Sequence, residues 1–214
     1  MSHRLGLPVD SSALKALHEA LHRIHPLSEQ AWCDVAACAV SRPLAAGQLL
    51  LRAGEMAKRV FFVHSGLLRE YYVDHEGRGA TRRFCSAGEF SGSLADLLAQ
   101  GPSAVFIECM QDCALLEMDW QAVDALSLRH PSLMHLMRRF AEGLYIHKMQ
   151  REFEMLTLPA AERYRLFASR HTALNAQLPR HMVASYLGIT PVHLSRIGAG
   201  PKSPRSTTRP PKKT

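Results

Sequence analysis

The chain has 214 residues, of which 47% are hydrophobic and 21% charged, and it carries a formal charge of +7. This length supports one large or two modest domains with true cores. No apolar run approaches the ~20 residues of a membrane-spanning helix, and Met1-Ser-His-Arg-Leu5 lacks the apolar centre of a signal peptide, so no membrane is expected and the predicted location is cytoplasmic.

The charge is unevenly spread. Residues 1–156 hold 16 Lys and Arg against 18 Asp and Glu, whereas residues 157–214 hold ten against one. A slightly acidic body with a basic end suits a polyanion-binding module at the C-terminus. The five cysteines (Cys33, Cys38, Cys85, Cys109 and Cys113) are an odd set without the two-residue gap typical of zinc or iron–sulfur ligation. They read as small buried apolar side chains, and no metal is assigned.

Residues 11–23 and 28–39 have helical spacing, with Leu14, Leu17, Leu21 and Ile24 on one face of the first and Ser28 capping the second. The first helix contains His18-Glu-Ala-Leu-His22, a literal match to the zinc-peptidase pattern in which two histidines bind metal and the glutamate acts as base. His25 follows His22 too closely for the third ligand of a metzincin, and 12 histidines raise the odds of a chance match. An exposed polar face is the expected reading, and a zinc metallopeptidase the remote alternative.

From about 42 to 118 the pattern changes to short strands between glycine turns: Val60–Val63, Leu67–Val73, Arg82–Cys85, Val105–Cys109 and Ala114–Met118. Their shortness predicts an antiparallel barrel or roll. Helix returns over Trp120–Leu128 and, after Pro131, to about Leu156. The apolar stripe of this long helix runs through Leu133, Leu136, Met137, Phe140 and Leu144, then switches to Ile146, Met149, Phe153 and Leu156. A helix that changes its apolar face packs on two bodies in turn, its own roll and either a partner or the next domain.

Thr157-Leu-Pro159 breaks that helix, and a further one spans 160–175. Leu178–Ile197 then reads as a helix-turn-helix, with Met182, Val183, Tyr186 and Leu187 inward. Gly188 makes the turn, Thr190 caps the second helix, and Pro191 takes its first position. Val192, Leu194 and Ile197 are the apolar members of that second helix. Arg196, with His193, Ser195, Thr190 and Arg180, forms the candidate DNA-binding set, because arginine on a short exposed helix can pair bidentately with guanine in the major groove. Beyond Ile197 the composition turns to Gly, Pro, Ser, Thr and basic residues, which predicts disorder.

This order of parts resembles the Crp/Fnr family of bacterial transcription regulators over about residues 30–197. Gly47, Gly54, Val60-Phe-Phe-Val-His-Ser-Gly66, Gly88-Glu-Phe-Ser-Gly-Ser-Leu94 and the terminal Leu178–Ile197 segment carry the likeness. The resemblance implies a cyclic-nucleotide-binding-like β-roll of jelly-roll type, a long dimerisation helix and a C-terminal helix-turn-helix, in an α+β fold. It also implies an effector pocket at Gly92, Ser93, Leu94, Ser103 and Arg82. In cyclic-AMP-binding members a glutamate and an arginine stand where this chain has Ser93 and Ser103, which argues against cyclic AMP and leaves no cofactor assigned. At the DNA-reading end, Pro191 and Val192 occupy the family's first base-contacting positions. Arg196 matches the later arginine, and Gly198-Ala-Gly-Pro201 replaces a full wing.

The domains expected on this basis are N-terminal helices over 1–40, an effector-sensing β-roll over 41–119, a dimerisation helix over 120–156, a helix-turn-helix over 157–197 and a disordered basic tail over 198–214. The expected function is a homodimeric, non-enzymatic DNA-binding regulator of a promoter palindrome, answering to a small-molecule effector of unspecified identity. A dimeric ligand-binding module with a defunct DNA head is the alternative.

Overall fold

The structure is a computed structural model that describes residues 9–198. The chain divides into two compact units between Glu154 and Met155. The tail expected over 198–214, and with it the question of the wing, lies outside the described residues apart from Gly198.

The first unit opens with α1 (Ser11–Ile24) and α2 (Glu29–Cys38). Asp10 starts α1 by accepting the Ser12 N–H at 3.1 Å, and Ser28 Oγ accepts the Ala31 N–H at 3.3 Å to start α2, which satisfies donors that a helix N-terminus leaves unpaired. Eight strands follow: β1 (Val40–Leu44), β2 (Leu49–Leu51), β3 (Arg59–Ser65), β4 (Leu67–Val73), β5 (Gly79–Ser86), β6 (Phe90–Ser91), β7 (Phe106–Cys109) and β8 (Cys113–Asp119). A short helix, α3 (Leu94–Ala99), lies between β6 and β7. The strands form two antiparallel four-stranded sheets, ordered β1-β8-β3-β6 and β2-β7-β4-β5. The expected α+β class with an antiparallel roll is what the structure has.

The apolar run in β3 is continuous because both of its faces are buried. Phe61 and Val63 join Leu68, Ile107 and Leu115 in one core, while Phe62 joins Leu116, Met118 and the helices in another. Successive strand residues point to opposite faces, so each core receives every second residue. Two helices close the unit, α4 (Trp120–Ser127) and α5 (Pro131–Thr157), the latter running on to the second unit. Leu133 and Leu136 of α5 are buried. One turn beyond Ala141 the exposure reverses: Tyr145, Ile146 and Met149 are 64%, 65% and 44% exposed.

The second unit holds α6 (Ala160–Arg170), α7 (Thr172–Gln177), α8 (Arg180–Leu187) and α9 (Pro191–Gly198). The single helix expected over 160–175 is two. The backbone leaves helical geometry at His171 (φ −127°, ψ 46°), and the Thr172 hydroxyl donates to the Ala168 carbonyl at 3.1 Å, taking up an acceptor at the break. Phe167, Val183, Ala184, Leu187 and Leu194 form the buried centre.

Candidate functional site

In the first unit a cavity of about 270 Å³ opens between the helices and the roll. Its walls are Leu21, Ile24 and Val35 from α1 and α2, Val60 and Met118 from β3 and β8, Leu94, Leu97 and Leu98 from α3, and Leu133, Leu136, Met137, Phe140 and Leu144 from α5. The first stripe of the long helix therefore joins the core through Leu133 and Leu136 and also forms one side of the cavity.

Two arginines also reach this wall, Arg82 and Arg83. Neighbours in a regular strand point to opposite faces, and a bulge explains the exception. Glu70 pairs with Arg83 and Tyr71 with Thr81, which leaves Arg82 as the extra residue of β5. A bulge of this kind re-aims a side chain.

Behind the wall residues Ser91 and Gly92 lies a buried carboxylate, Glu70. It is 1% exposed, and its Oε1 accepts from Ser91 Oγ at 2.8 Å and from the Gly92 N–H at 3.4 Å, with Cys85 Sγ at 3.6 Å. Arg82 stands 3.9 Å from its other oxygen, and Arg83 stands 3.4 Å from Glu89. Burial, and after it the Glu70 charge, pushes the Cys85 thiol well above its ordinary range, so Cys85 is a neutral hydrogen-bond donor here. The only sequence signal for Glu70 is a carboxylate at a position where β4 otherwise alternates apolar residues inward, Leu68 being the preceding one.

Of the pocket residues expected from sequence, Gly92, Leu94 and Arg82 line the cavity; Ser93 and Ser103 do not. Ser93 is 2% exposed at the start of α3. Ser103 is 3% exposed, donates to Asp96 Oδ2 at 2.6 Å and accepts the Val105 N–H at 3.0 Å, so it is consumed in fastening the loop before β7.

In the second unit Gly188 adopts φ +65° and ψ 36° at the end of α8, a left-handed conformation that glycine takes without penalty. A side chain there would also meet Met155, whose Cε lies 2.6 Å from the position of an added Cβ. Thr190 Oγ1 then accepts the His193 N–H at 3.2 Å and starts α9. Leu194 is fully buried, while His193, Ser195 and Arg196 are exposed. Val192, read as one of the helix's apolar residues, is 61% exposed, because it lies on the opposite side of α9 from Leu194.

Arg180 has an internal role. Its guanidinium donates to the Leu194 carbonyl at 3.1 Å and to the Tyr164 hydroxyl at 3.1 Å, linking α8 to α9 and α6. The Arg180 hydrogen bond holds the Tyr164 phenol below its usual range.

In His18-Glu-Ala-Leu-His22, His18 is half-buried and His22 is exposed. The His18 ring packs edge-on against Trp32 with centroids 4.6 Å apart, and among the described residues no group of three or more His, Cys, Asp and Glu is gathered for a metal. Among the same residues, no helix is long and apolar enough to cross a membrane.

Residues 41–130 match the cyclic nucleotide-binding domain family. The chain is 26% identical over 171 residues to the fumarate and nitrate reduction regulatory protein of Escherichia coli (strain K12), a match covering 73% of this chain and 66% of that relative. Among solved structures, a protein described as a transcriptional regulator of the Crp/Fnr family from Eubacterium rectale superposes with a TM-score of 0.65 at 15% identity, over 80% of this chain and 82% of the other. FixK2 from Bradyrhizobium japonicum gives 0.62 at 18% identity, over 75% and 83%. The chain is similar to regulators of the Crp/Fnr family and shares their fold.

The domain match over residues 41–130 raises the question of whether a cyclic nucleotide fits. A buried cyclic phosphate needs free N–H donors and a cation close by. Here the Gly92 N–H points at the Glu70 carboxylate, and the Ser103 hydroxyl is bound to Asp96. The residues gathered at Gly92 and Ser103 do not fit a cyclic phosphate.

Proposed function

We propose that this chain is a cytoplasmic, non-enzymatic DNA-binding transcription regulator that acts as a homodimer. An effector in the first unit biases α5, and α9 reads the major groove. The observation carrying this reading is the tight turn at Gly188, which leaves Leu194 fully buried and Arg196, His193 and Ser195 exposed on the same short helix. A recognition helix needs this division, with one face anchored and the other open to base edges. The relatives described as regulators and the basic balance of residues 157–214 support it.

Pairing through α5 is supported by the exposure of Tyr145, Ile146 and Met149 on a helix whose earlier stripe faces its own roll. Two copies suit a palindrome, since each head reads one half-site.

Selection from a random duplex library, followed by anisotropy measurements at physiological salt, tests the reading. The expected result is a palindromic preference that Arg196→Ala weakens by about 1–3 kcal/mol at one base position per half-site. A dimer that binds every duplex equally would overturn it.

A further inference from the structure

The geometry points to a compact, uncharged, largely apolar molecule as the occupant of the cavity between α5 and the roll, with Glu70 serving as a built-in anion that bars charged ligands from the seat beside Gly92. This rests on the regulator reading for its biological sense, and on three features of the cavity for its chemistry.

The first feature is size. A dry apolar cavity of ~150 Å³ takes up benzene. On that ratio the 270 Å³ found here suits a molecule of about ten non-hydrogen atoms, a single fused ring system or a medium-length aliphatic chain. A cyclic mononucleotide is about twice that size.

The second is charge balance. Arg82 faces Glu70 and Arg83 faces Glu89, while Asp124 adds a carboxylate at the wall. No cation at the wall is left in excess for an anionic group, and a ligand carboxylate would meet Asp124 at the wall as a like charge, with the Glu70 carboxylate next behind Ser91 and Gly92. An uncharged molecule disturbs none of these pairs.

The third is the seat itself. Glu70 is 1% exposed and accepts from Ser91 Oγ at 2.8 Å and from the Gly92 N–H at 3.4 Å, so the backbone donor that a phosphate would need is already answered from within the fold. An incoming anion would have to displace a buried carboxylate already held by Ser91, Gly92 and Cys85 with Arg82 close by. A neutral apolar molecule has only to fill space against Phe140, Met137 and Leu94.

Thermal melting and calorimetry on the purified full chain provide the test. Indole and 1-octanol are the uncharged probes, octanoate matches octanol in length with a carboxylate added, and cyclic AMP is the nucleotide. Indole or octanol is expected to raise Tm saturably by mass action. Octanoate should bind at least about tenfold more weakly than octanol, and cyclic AMP should leave Tm unchanged. Met137→Trp, which fills the cavity from α5, should weaken the uncharged probes at least about tenfold while the protein still melts cooperatively. Should that variant fail to fold, Leu98→Trp, at a wall position 64% exposed, makes the same test with little strain.

Stabilisation by cyclic AMP, octanoate binding as well as octanol, or probe affinity untouched by the filling variant would each overturn the proposal. Probe affinity that falls as protein concentration rises would assign the cavity to a second copy of the chain, and would overturn it too. Duplex preference is measured on the same preparation. A chain that prefers one duplex but binds no uncharged probe keeps the regulator reading and loses this one. A chain that binds the probes but prefers no duplex loses the regulator reading and keeps the cavity assignment.

Discussion

Glu70 Oε1 accepts a hydrogen bond from Ser91 Oγ at 2.8 Å, joining a strand of one sheet to a strand of the other at a point almost sealed from water. Removing the carboxylate leaves the Ser91 hydroxyl and the Gly92 N–H without their acceptor and Arg82 without its counter-charge. Glu70→Ala should therefore destabilise the protein by about 2–4 kcal/mol. Glu70→Gln keeps an acceptor oxygen and should lose less, about 1–2 kcal/mol. Urea unfolding of the two variants measures this, and equal losses would mean that shape rather than acceptor chemistry matters at position 70.

A second prediction concerns Arg180 and Tyr164. The guanidinium donates to the Tyr164 hydroxyl and to the Leu194 carbonyl. Since that hydrogen bond is the main reason the phenol is held below its usual 10.0, Arg180→Ala should move the Tyr164 titration back up towards it. Ultraviolet titration against a Tyr164→Phe control isolates this one phenol. DNA affinity should fall as well, because Arg180 steadies the helix that presents Arg196; an unmoved titration would refute the contact in solution.

The acid side of the stability curve has its own marker. Asp34 Oδ2 lies 2.8 Å from His130 Nε2, and this hydrogen bond is the main cause holding the Asp34 carboxyl below its usual 3.8. A group whose folded value is lowered stabilises the protein above its unfolded value and loses that effect as pH falls through the folded one. The contribution is thus complete above 3.8 and fades below it. In His130→Ala the Asp34 carboxyl should titrate nearer the ordinary value, and the loss of stability in acid should be shallower. Carbon-13 detection of the carboxyl resonance through the titration is the direct check, with no change between parent and variant as the contrary result.

Much of the architecture could be read from residue order because it depends on local rules. Ser28 and Thr190 are good helix starters wherever they stand, and both accept the N–H three residues on. Gly188 was legible for the same reason, since few other residues enter the left-handed region. The strand from Arg59 to Ser65 was visible as an apolar run, although only the paired sheets and flanking helices show why both of its faces are buried.

What escaped the reading depends on contacts distant in sequence. The two-residue strand Phe90–Ser91 exists only through its pairing with Phe61 and Phe62. Glu70 could not be told from a surface carboxylate, because its burial depends on a bulge opposite it that brings two arginines to one wall. The break at His171 has no glycine or proline to announce it. Val192 shows the converse limit, since its apolar side chain is no evidence of burial once its neighbour Leu194 has taken the inward position.

The exposed run on α5 reaches beyond architecture. Tyr145 and Ile146 are each about two-thirds exposed on the single chain, at 64% and 65%. If pairing covers them, Tm should climb as protein concentration is raised across the dissociation constant of the dimer, and Ile146→Glu should flatten that dependence. A concentration-independent Tm for the parent would count against pairing through this face. The dependence would make copy number an input in its own right. When chains are scarce they separate, each head grips a half-site alone, and occupancy falls with roughly the square of abundance. Tyr145 and Ile146 would then act as a census of the population, setting the abundance at which any effector can begin to matter.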